Sequence, residues 1–208
     1  MKKHSTRLAC PDKADSEQET IRSADFDLSD ETLSVKRLRL VIFNARQTPP
    51  TEDEIRTIVE IEYRPEVQKW LTEYTDPDPQ KELQSYQKFF RKLPKNRRVE
   101  VLIAKSDGRL VGFLALWRLG RYMEHIASLG LSVHPDYWGA GIASKLIESA
   151  IETAKEKGFK RIEIETLAEN TAMRRVAEKK GFELECVRKK RIRKDGAYHD
   201  ESAYALSL

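Results

Sequence analysis

Apolar and polar positions change their spacing several times after residue 38, and each change marks a predicted element. Short apolar or alternating runs predict strands at 38–43, 99–105, 110–118, 126–133, 160–167, 183–193 and 198–206. Apolar residues at helical spacing predict helices that begin at 51–54, cover 65–72 and 80–93, run from 138 to about 157, and run from 170 to about 181. This order predicts an α/β fold with a mixed sheet, not an alternating doubly wound sheet.

Local signals support several of these boundaries. Thr51 and Glu54 have the spacing of a helix capping box. Asp107-Gly108 predicts a tight hairpin turn, and Asp195-Gly196 separates the last two strands. Gly158 is placed to end the helix that precedes it.

The N-terminal part of the chain lacks these patterns. Residues 1–34 carry few large apolar residues and no sustained period. We therefore predict a disordered or loosely attached tail over residues 1–37 and one domain over residues 38–208. A dispensable extension is favoured over a specific targeting function for the tail.

Composition favours a soluble protein of the cytoplasm. Charged residues make up 35% of the 208 positions, and no apolar run approaches the length of a membrane span. The N-terminus lacks the apolar segment of a secretory signal. The spacing of the two cysteines and four histidines indicates no metal site. The tail carries −1 and the remainder +5 of the net charge of +4, which suits an anionic ligand without singling out nucleic acid.

The most informative segment joins a predicted strand to a predicted helix through small residues. It reads Trp138-Gly139-Ala140-Gly141-Ile142-Ala143-Ser144. Backbone amides that converge at a helix start, together with the helix dipole, favour a phosphate or pyrophosphate. The alternative is that the two glycines only make a tight turn.

Two common phosphate loops do not match this segment. A P-loop requires a Lys that the segment lacks. A dinucleotide-binding loop requires a third glycine where Ser144 stands, although Glu163 and Glu165 follow at about the distance of its ribose contact. Because several strands precede the loop and too little βαβ pattern follows it, we disfavour a dinucleotide fold.

Further motifs follow the glycine loop. Asn170 is followed eleven residues later by Gly181-Phe182, and the chain closes with Asp195-Gly196-Ala197-Tyr198-His199-Asp200. The glycine loop resembles the acyl-CoA pyrophosphate loop of the GNAT superfamily of N-acetyltransferases, with Trp138 in place of the leading Arg or Gln. All these motifs together resemble the branch of ribosomal-protein N-terminal (Rim-type) and small-amine acetyltransferases. The resemblance covers about residues 38–208 and is strongest over 126–206.

The resemblance implies a fold and a cofactor site. The fold would be a mixed, mostly antiparallel central sheet flanked by helices, in which a splayed strand pair binds acyl-CoA. The residues implied to contact the cofactor lie on the strand (Leu131, Ser132 and Val133), on the loop (Trp138, Gly139, Ala140, Gly141, Ile142, Ala143 and Ser144) and at Asn170.

The implied activity is transfer of an acetyl group from acetyl-CoA directly to a primary amine, on a protein N-terminus or a small molecule. Neither Cys10 nor Cys186 lies in a motif, which favours direct transfer over an acyl-cysteine. The alternative is a non-catalytic acyl-CoA sensor or interaction module. The acceptor and the oligomeric state stay open, with a homodimer as one option.

The catalytic groups depart from the family pattern. Met173 and Ala177 stand where relatives often place a Ser or Tyr acid, so we consider Tyr204 as an acid from elsewhere. Ser128 stands where an acidic base would be expected, which leaves Glu124 and His125 as substitutes; the pKa of a histidine suits a base near neutral pH.

A run of six basic residues in seven, at 188–194, allows three readings. A solvated strand face is favoured over a contact with an acidic substrate, and both are favoured over nucleic-acid binding.

Overall fold

The computed structural model describes residues 39–72 and 75–208. The predicted tail at 1–37 lies outside the described residues. The strands are β1 (Leu40–Asn44), β2 (Val99–Ser106), β3 (Arg109–Arg118), β4 (Ile126–Val133), β5 (Arg161–Leu167), β6 (Glu183–Lys194) and β7 (Ala197–Ser207). The helices are α1 (Glu52–Tyr63), α2 (Pro65–Gln68), α3 (Pro79–Lys92), α4 (Ile142–Glu156) and α5 (Thr171–Lys179).

The strands form one sheet in the order β1-β2-β3-β4-β5-β7-β6. Strands β4 and β5 pair in parallel, and every other pair in the sheet is antiparallel. The parallel pair needs a crossover connection, which α4 provides. The predicted mixed, mostly antiparallel sheet flanked by helices is confirmed.

Helices cover both faces of the sheet, and strand alternation assigns side chains to each face. On the face covered by α4 and α5, called here the α4–α5 face, the buried core includes Leu114, Leu129, Leu146, Ile164 and Tyr204. On the opposite face, the α1–α3 face, a second core includes Ile58, Leu83, Phe90, Ile103 and Phe113. Burial of these side chains is the main force that holds the helices on the sheet.

The helix starts differ in their capping. Thr51 and Glu54 form the predicted capping box of α1. Asp78 caps α3 through the amide of Gln80, and Asn170 caps α5 through the amide of Met173. Each such cap contributes about 1 kcal/mol to stability. By contrast, no side chain caps α4, whose N-cap is Gly141.

One helix is shorter than predicted. The pattern predicted a helix at 65–72, whereas α2 ends at Gln68. The amides of Trp70 and Leu71 donate to carbonyls three residues earlier, which tightens the chain into a turn. The carbonyls of Gln68 and Leu71 also accept from the Lys194 ammonium of β6, which ties this turn to a strand distant in sequence.

The two predicted hairpin turns are present. Asp107-Gly108 and Asp195-Gly196 each have positive φ at both residues, as a tight turn between right-twisted strands requires. In the part of the chain that the structure describes, no helix is long and apolar enough to cross a membrane.

Candidate functional site

The parallel strands β4 and β5 separate halfway along their length. Their last paired residues are Leu129 and Ile164. Beyond that point β4 stays paired with β3 as far as Val133, and β5 stays paired with β7 as far as Leu167. The backbone of residues 130–133 therefore presents an edge that β5 does not cover. This is the splayed pair that the family resemblance implied.

A cleft of about 700 Å³ passes through the split. Its walls include residues from both faces of the sheet and from the loop before α4. The residues predicted for the cofactor that line it are Leu131, Ser132, Val133, Trp138, Gly139, Gly141, Ile142, Ala143, Ser144 and Asn170. Ala140 lies on the same loop between two lining glycines but does not itself line the cleft.

The loop before α4 has a backbone that only glycine adopts readily. Gly139 and Gly141 both have φ of +77°, in the left-handed region. A Cβ added at either glycine would meet no atom within 4 Å, so the space above the loop is open. The Trp138 indole N–H donates to the Val133 carbonyl over 2.8 Å and holds the loop against the end of β4.

The start of α4 is suited to an anion. The first amides of a helix have no partner within the helix, and no side chain caps these. The helix dipole places partial positive charge at the same point. Arg175 and Lys179 of α5 add two cationic side chains to the lining of the cleft. This arrangement fits a ligand that carries several phosphates.

Asn170 has two roles in the structure. Its side-chain oxygen accepts from the Met173 amide over 3.1 Å and so caps α5. The residue also lines the cleft. The amide nitrogen of its side chain, which donates to none of the described residues, can contact a ligand.

Glu124 and His125, considered as bases, lie away from the cleft. Both are exposed and precede Ile126, the first residue of β4. At strand geometry, the five steps along the chain from His125 to Gly130 span about 16 Å. The His125 carbonyl accepts from the Lys160 amide, which places it at the opposite end of the β4–β5 pair from the split.

Tyr204, considered as an acid, is enclosed in the core of the α4–α5 face. Its side chain is 1% exposed. Its hydroxyl donates to Glu178 over 2.8 Å and accepts from Arg174 Nε over 3.0 Å. Burial raises the pKa of Tyr204. The hydroxyl does not line the cleft, and its proton is already shared with Glu178.

Other residues of the cleft were not singled out as site residues from the sequence. On the α1–α3 face, aromatic side chains from α3 and β3 form part of the wall, with the rings of Phe89 and Trp117 centred 5.6 Å apart. Glu62 of α1 accepts from the Tyr86 hydroxyl over 2.8 Å. Ser128 of β4 and Glu165 of β5 line the cleft near the split. The alternation of β5 around Ile162 and Ile164 could have indicated the face on which Glu165 lies.

The basic run of β6 is bent and largely engaged in contacts. The pairing of β6 with β7 shifts between Arg188 and Ile192. Arg188 donates to Glu165 and Glu201. Burial acts to lower the pKa of Arg188, but the hydrogen bonds and charges of the two glutamates raise it overall. Lys189 contacts Asp200. The run is thus a partly paired edge strand and not a uniformly solvated one.

Residues 39–72 and 75–208 contain no candidate metal centre. No group of three or more His, Cys, Asp or Glu side chains there is arranged to hold a metal ion.

Comparison with known proteins identifies a family. The model of the family described as "Acetyltransferase (GNAT) domain" matches residues 47–183. This range includes the glycine loop, the split strands and α5. It therefore covers most of the cleft.

Two relatives are similar in sequence. One, from Bacillus subtilis (strain 168), is provisionally named a ribosomal-protein-alanine N-acetyltransferase and is 27% identical over 101 residues, or 49% of this chain and 65% of the relative. The other, an L-amino acid N-acetyltransferase from Escherichia coli (strain K12), is 32% identical over 104 residues, or 49% of this chain and 64% of the relative. The chain thus matches slightly less than two thirds of either relative's length.

A solved structure has the same fold. It is provisionally described as an acetyltransferase from Salmonella typhimurium with its cofactor acetyl-CoA. The TM-score is 0.66 at 21% identity, and the likeness covers 81% of this chain and 94% of the other. At this identity the similarity concerns the arrangement of helices and strands.

Proposed function

The chain belongs to the acetyltransferase (GNAT) domain family, and from this we propose that it transfers an acetyl group from acetyl-CoA directly to a primary amine. The acceptor is the N-terminus of a protein or a small molecule. The observation that carries the proposal is the split between β4 and β5, which opens into a cleft beside an uncapped helix start.

The residues of the cleft fit acetyl-CoA. The amides at 139–144 would hold its pyrophosphate, in the open space above Gly139 and Gly141. The uncovered edge of β4 at residues 131–133 would pair with the amide groups of its pantetheine arm. Asn170 would contact the arm through its free amide nitrogen. When bound, acetyl-CoA supplies the thioester that is attacked.

The relatives support an amine acceptor. The names of the two relatives describe transfer to alanine of a ribosomal protein and to L-amino acids. Both acceptors present an α-amine. In this chain, the acceptor would enter from the α1–α3 face, where Glu62, Glu165 and the aromatic wall line the cleft. Carboxylates and aromatic faces both attract an ammonium group.

In this proposal, the positioning of the amine against the thioester provides most of the rate acceleration. The protein holds the amine against the thioester, which converts a bimolecular reaction into a reaction within one complex. A backbone N–H at residues 131–133 stabilises the developing oxyanion. Because Met173 and Ala177 carry no acidic proton and Tyr204 is enclosed in the core, the CoA thiolate takes its proton from water.

The proposal is tested first by binding and then by turnover. Titration calorimetry should detect acetyl-CoA binding by the wild-type chain, and Gly141→Glu should abolish it because the new carboxylate repels the phosphates. Labelled acetyl-CoA is then incubated with peptides, amino acids, polyamines and aminoglycosides. Absence of binding at high micromolar acetyl-CoA would overturn the proposal. Binding without turnover on the whole panel would favour the acyl-CoA sensor instead.

A further inference from the structure

Glu165 occupies a position that the pairing of three strands defines. The β4–β5 ladder ends at Leu129 and Ile164, while the β5–β7 ladder continues to Leu167. Glu165 is therefore the first residue of β5 beyond the point of separation. It remains held by β7 through its register partner Ala203, so the backbone that carries it is fixed.

The side chain of Glu165 projects on the α1–α3 face. Ile162 and Ile164 belong to the core of the opposite face, and alternate residues of a strand point in opposite directions. On β4, the next residue after the last pair is Gly130, where an added Cβ would meet nothing within 4 Å. Glu165 thus faces open space, lines the cleft, and has a side chain that is 39% exposed.

Arg188 orients the carboxylate without occupying all of it. Its Nη1 donates to Glu165 Oε1 over 2.7 Å and also to Glu201. Among the described residues, Glu165 Oε2 has no hydrogen-bond partner. One oxygen is therefore fixed by the protein, and the other is available to a ligand in the cleft.

We propose that Glu165 is a catalytic residue that accepts the proton of the attacking amine. This rests on the proposed acetyl transfer. The neutral amine forms a bond from its nitrogen to the thioester carbon, and the C–S bond then breaks. The nitrogen becomes acidic as its new bond forms and loses one proton to Glu165 Oε2. The thiolate gains one proton from water, and Glu165 returns its proton to solvent.

The test compares Glu165→Gln with Glu185→Gln, a matched control. Glu185 also accepts from an arginine, Arg161, and its side chain is similarly exposed at 47%, but it does not line the cleft. For Glu165→Gln we expect kcat to fall by about 100-fold, as for loss of a general base. The Kd for acetyl-CoA should stay within about twofold in calorimetry. Glu165→Asp should restore part of kcat.

The outcomes separate this inference from the function on which it rests. If the wild-type chain acetylates no amine, the proposed function fails. If the wild type is active and Glu165→Gln keeps kcat within about tenfold, or Glu185→Gln loses as much activity, the role of Glu165 is refuted while acetyl transfer stands.

Discussion

The Lys194 ammonium donates to the carbonyl of Leu71 over 2.8 Å, across 123 positions of sequence. It also donates to the carbonyl of Gln68. These bonds join the end of β6 to the last residue of α2 and to Leu71, which lines the cleft. Burial lowers the pKa of Lys194, so the charge is held there at a cost in desolvation. The contact ties this wall of the cleft to β6.

Replacing Lys194 should therefore affect the kinetics with the amine acceptor and not the affinity for acetyl-CoA. For Lys194→Met we expect a several-fold loss in kcat/KM for the amine, because the wall beside Leu71 is no longer tied to β6. The free energy of unfolding should change by less than about 1 kcal/mol, since an apolar side chain avoids the desolvation of the ammonium. Steady-state kinetics and urea unfolding measure both quantities.

Lys189→Met is the control for this change. Lys189 lies on the same strand, pairs with Asp200, and has a side chain that is 78% exposed. It should behave as wild type. A loss of acetyl-CoA affinity in Lys194→Met, with unchanged amine kinetics, would contradict the role assigned to the contact.

Alanine variants at two glycines of similar backbone conformation distinguish an effect on stability from an effect on acetyl-CoA binding. Gly141 and Gly158 have φ of +77° and +75°, and neither has an atom within 4 Å of an added Cβ. Alanine should cost about 1 kcal/mol at either position because the left-handed conformation disfavours a side chain. Only Gly141→Ala should raise the Kd for acetyl-CoA in calorimetry, because only Gly141 lines the cleft. Equal Kd values for the two variants would place the pyrophosphate elsewhere.

Tyr204 should act on stability and not on chemistry. Tyr204→Phe removes a hydroxyl that bonds Arg174 and Glu178, which should lower the free energy of unfolding by about 1–3 kcal/mol at neutral pH. Its kcat should match wild type. Because burial raises the pKa of Tyr204, the contribution of the neutral phenol is full below the unfolded value and falls as pH rises above about 10. A large fall in kcat for Tyr204→Phe with unchanged stability would indicate instead that Tyr204 is the acid that protonates the CoA thiolate.

Arg175 should contribute charge to the donor site. It lines the cleft on α5, whereas Lys180 at the end of the same helix pairs with Glu148 and does not line the cleft. Arg175→Gln should weaken acetyl-CoA binding and reduce its dependence on salt, because one cation near the phosphates is lost. Lys180→Gln is the matched control and should bind as wild type. Equal salt dependence in wild type and Arg175→Gln would exclude a phosphate contact at Arg175.

The sequence predicted the parts of the fold that local rules govern. The capping box at Thr51, the hairpin turn at Asp107-Gly108 and the glycines at 139 and 141 depend on neighbours within a few residues. Such signals are readable without knowing which strands pair. The family motifs combined them in a specific order, which is why the sheet and most residues of the glycine loop that line the cleft could be predicted.

The side of the cleft proposed for the acceptor depends on contacts between distant segments. Glu165 gains its position from the split between β4 and β5 and from Arg188 on β6. No local sequence pattern indicates where the pairing between two strands ends. His125 was considered because it lies near β4 in sequence, but strand length places it at the end of the β4–β5 pair that is away from the split. The predicted helix at 65–72 was too long: α2 ends at Gln68, whose carbonyl accepts from Lys194 of β6, a contact that no local pattern indicates.

The most direct test of the account is an acetyl-transfer assay with product identification. The wild-type chain is incubated with labelled acetyl-CoA and single amines, and the products are analysed by mass spectrometry beside CoA release. We predict a stable amide on a primary amine, formed with one CoA released per acetyl group and lost in Gly141→Glu. Binding of acetyl-CoA with no amide formed on any peptide, amino acid, polyamine or aminoglycoside would contradict the proposed function.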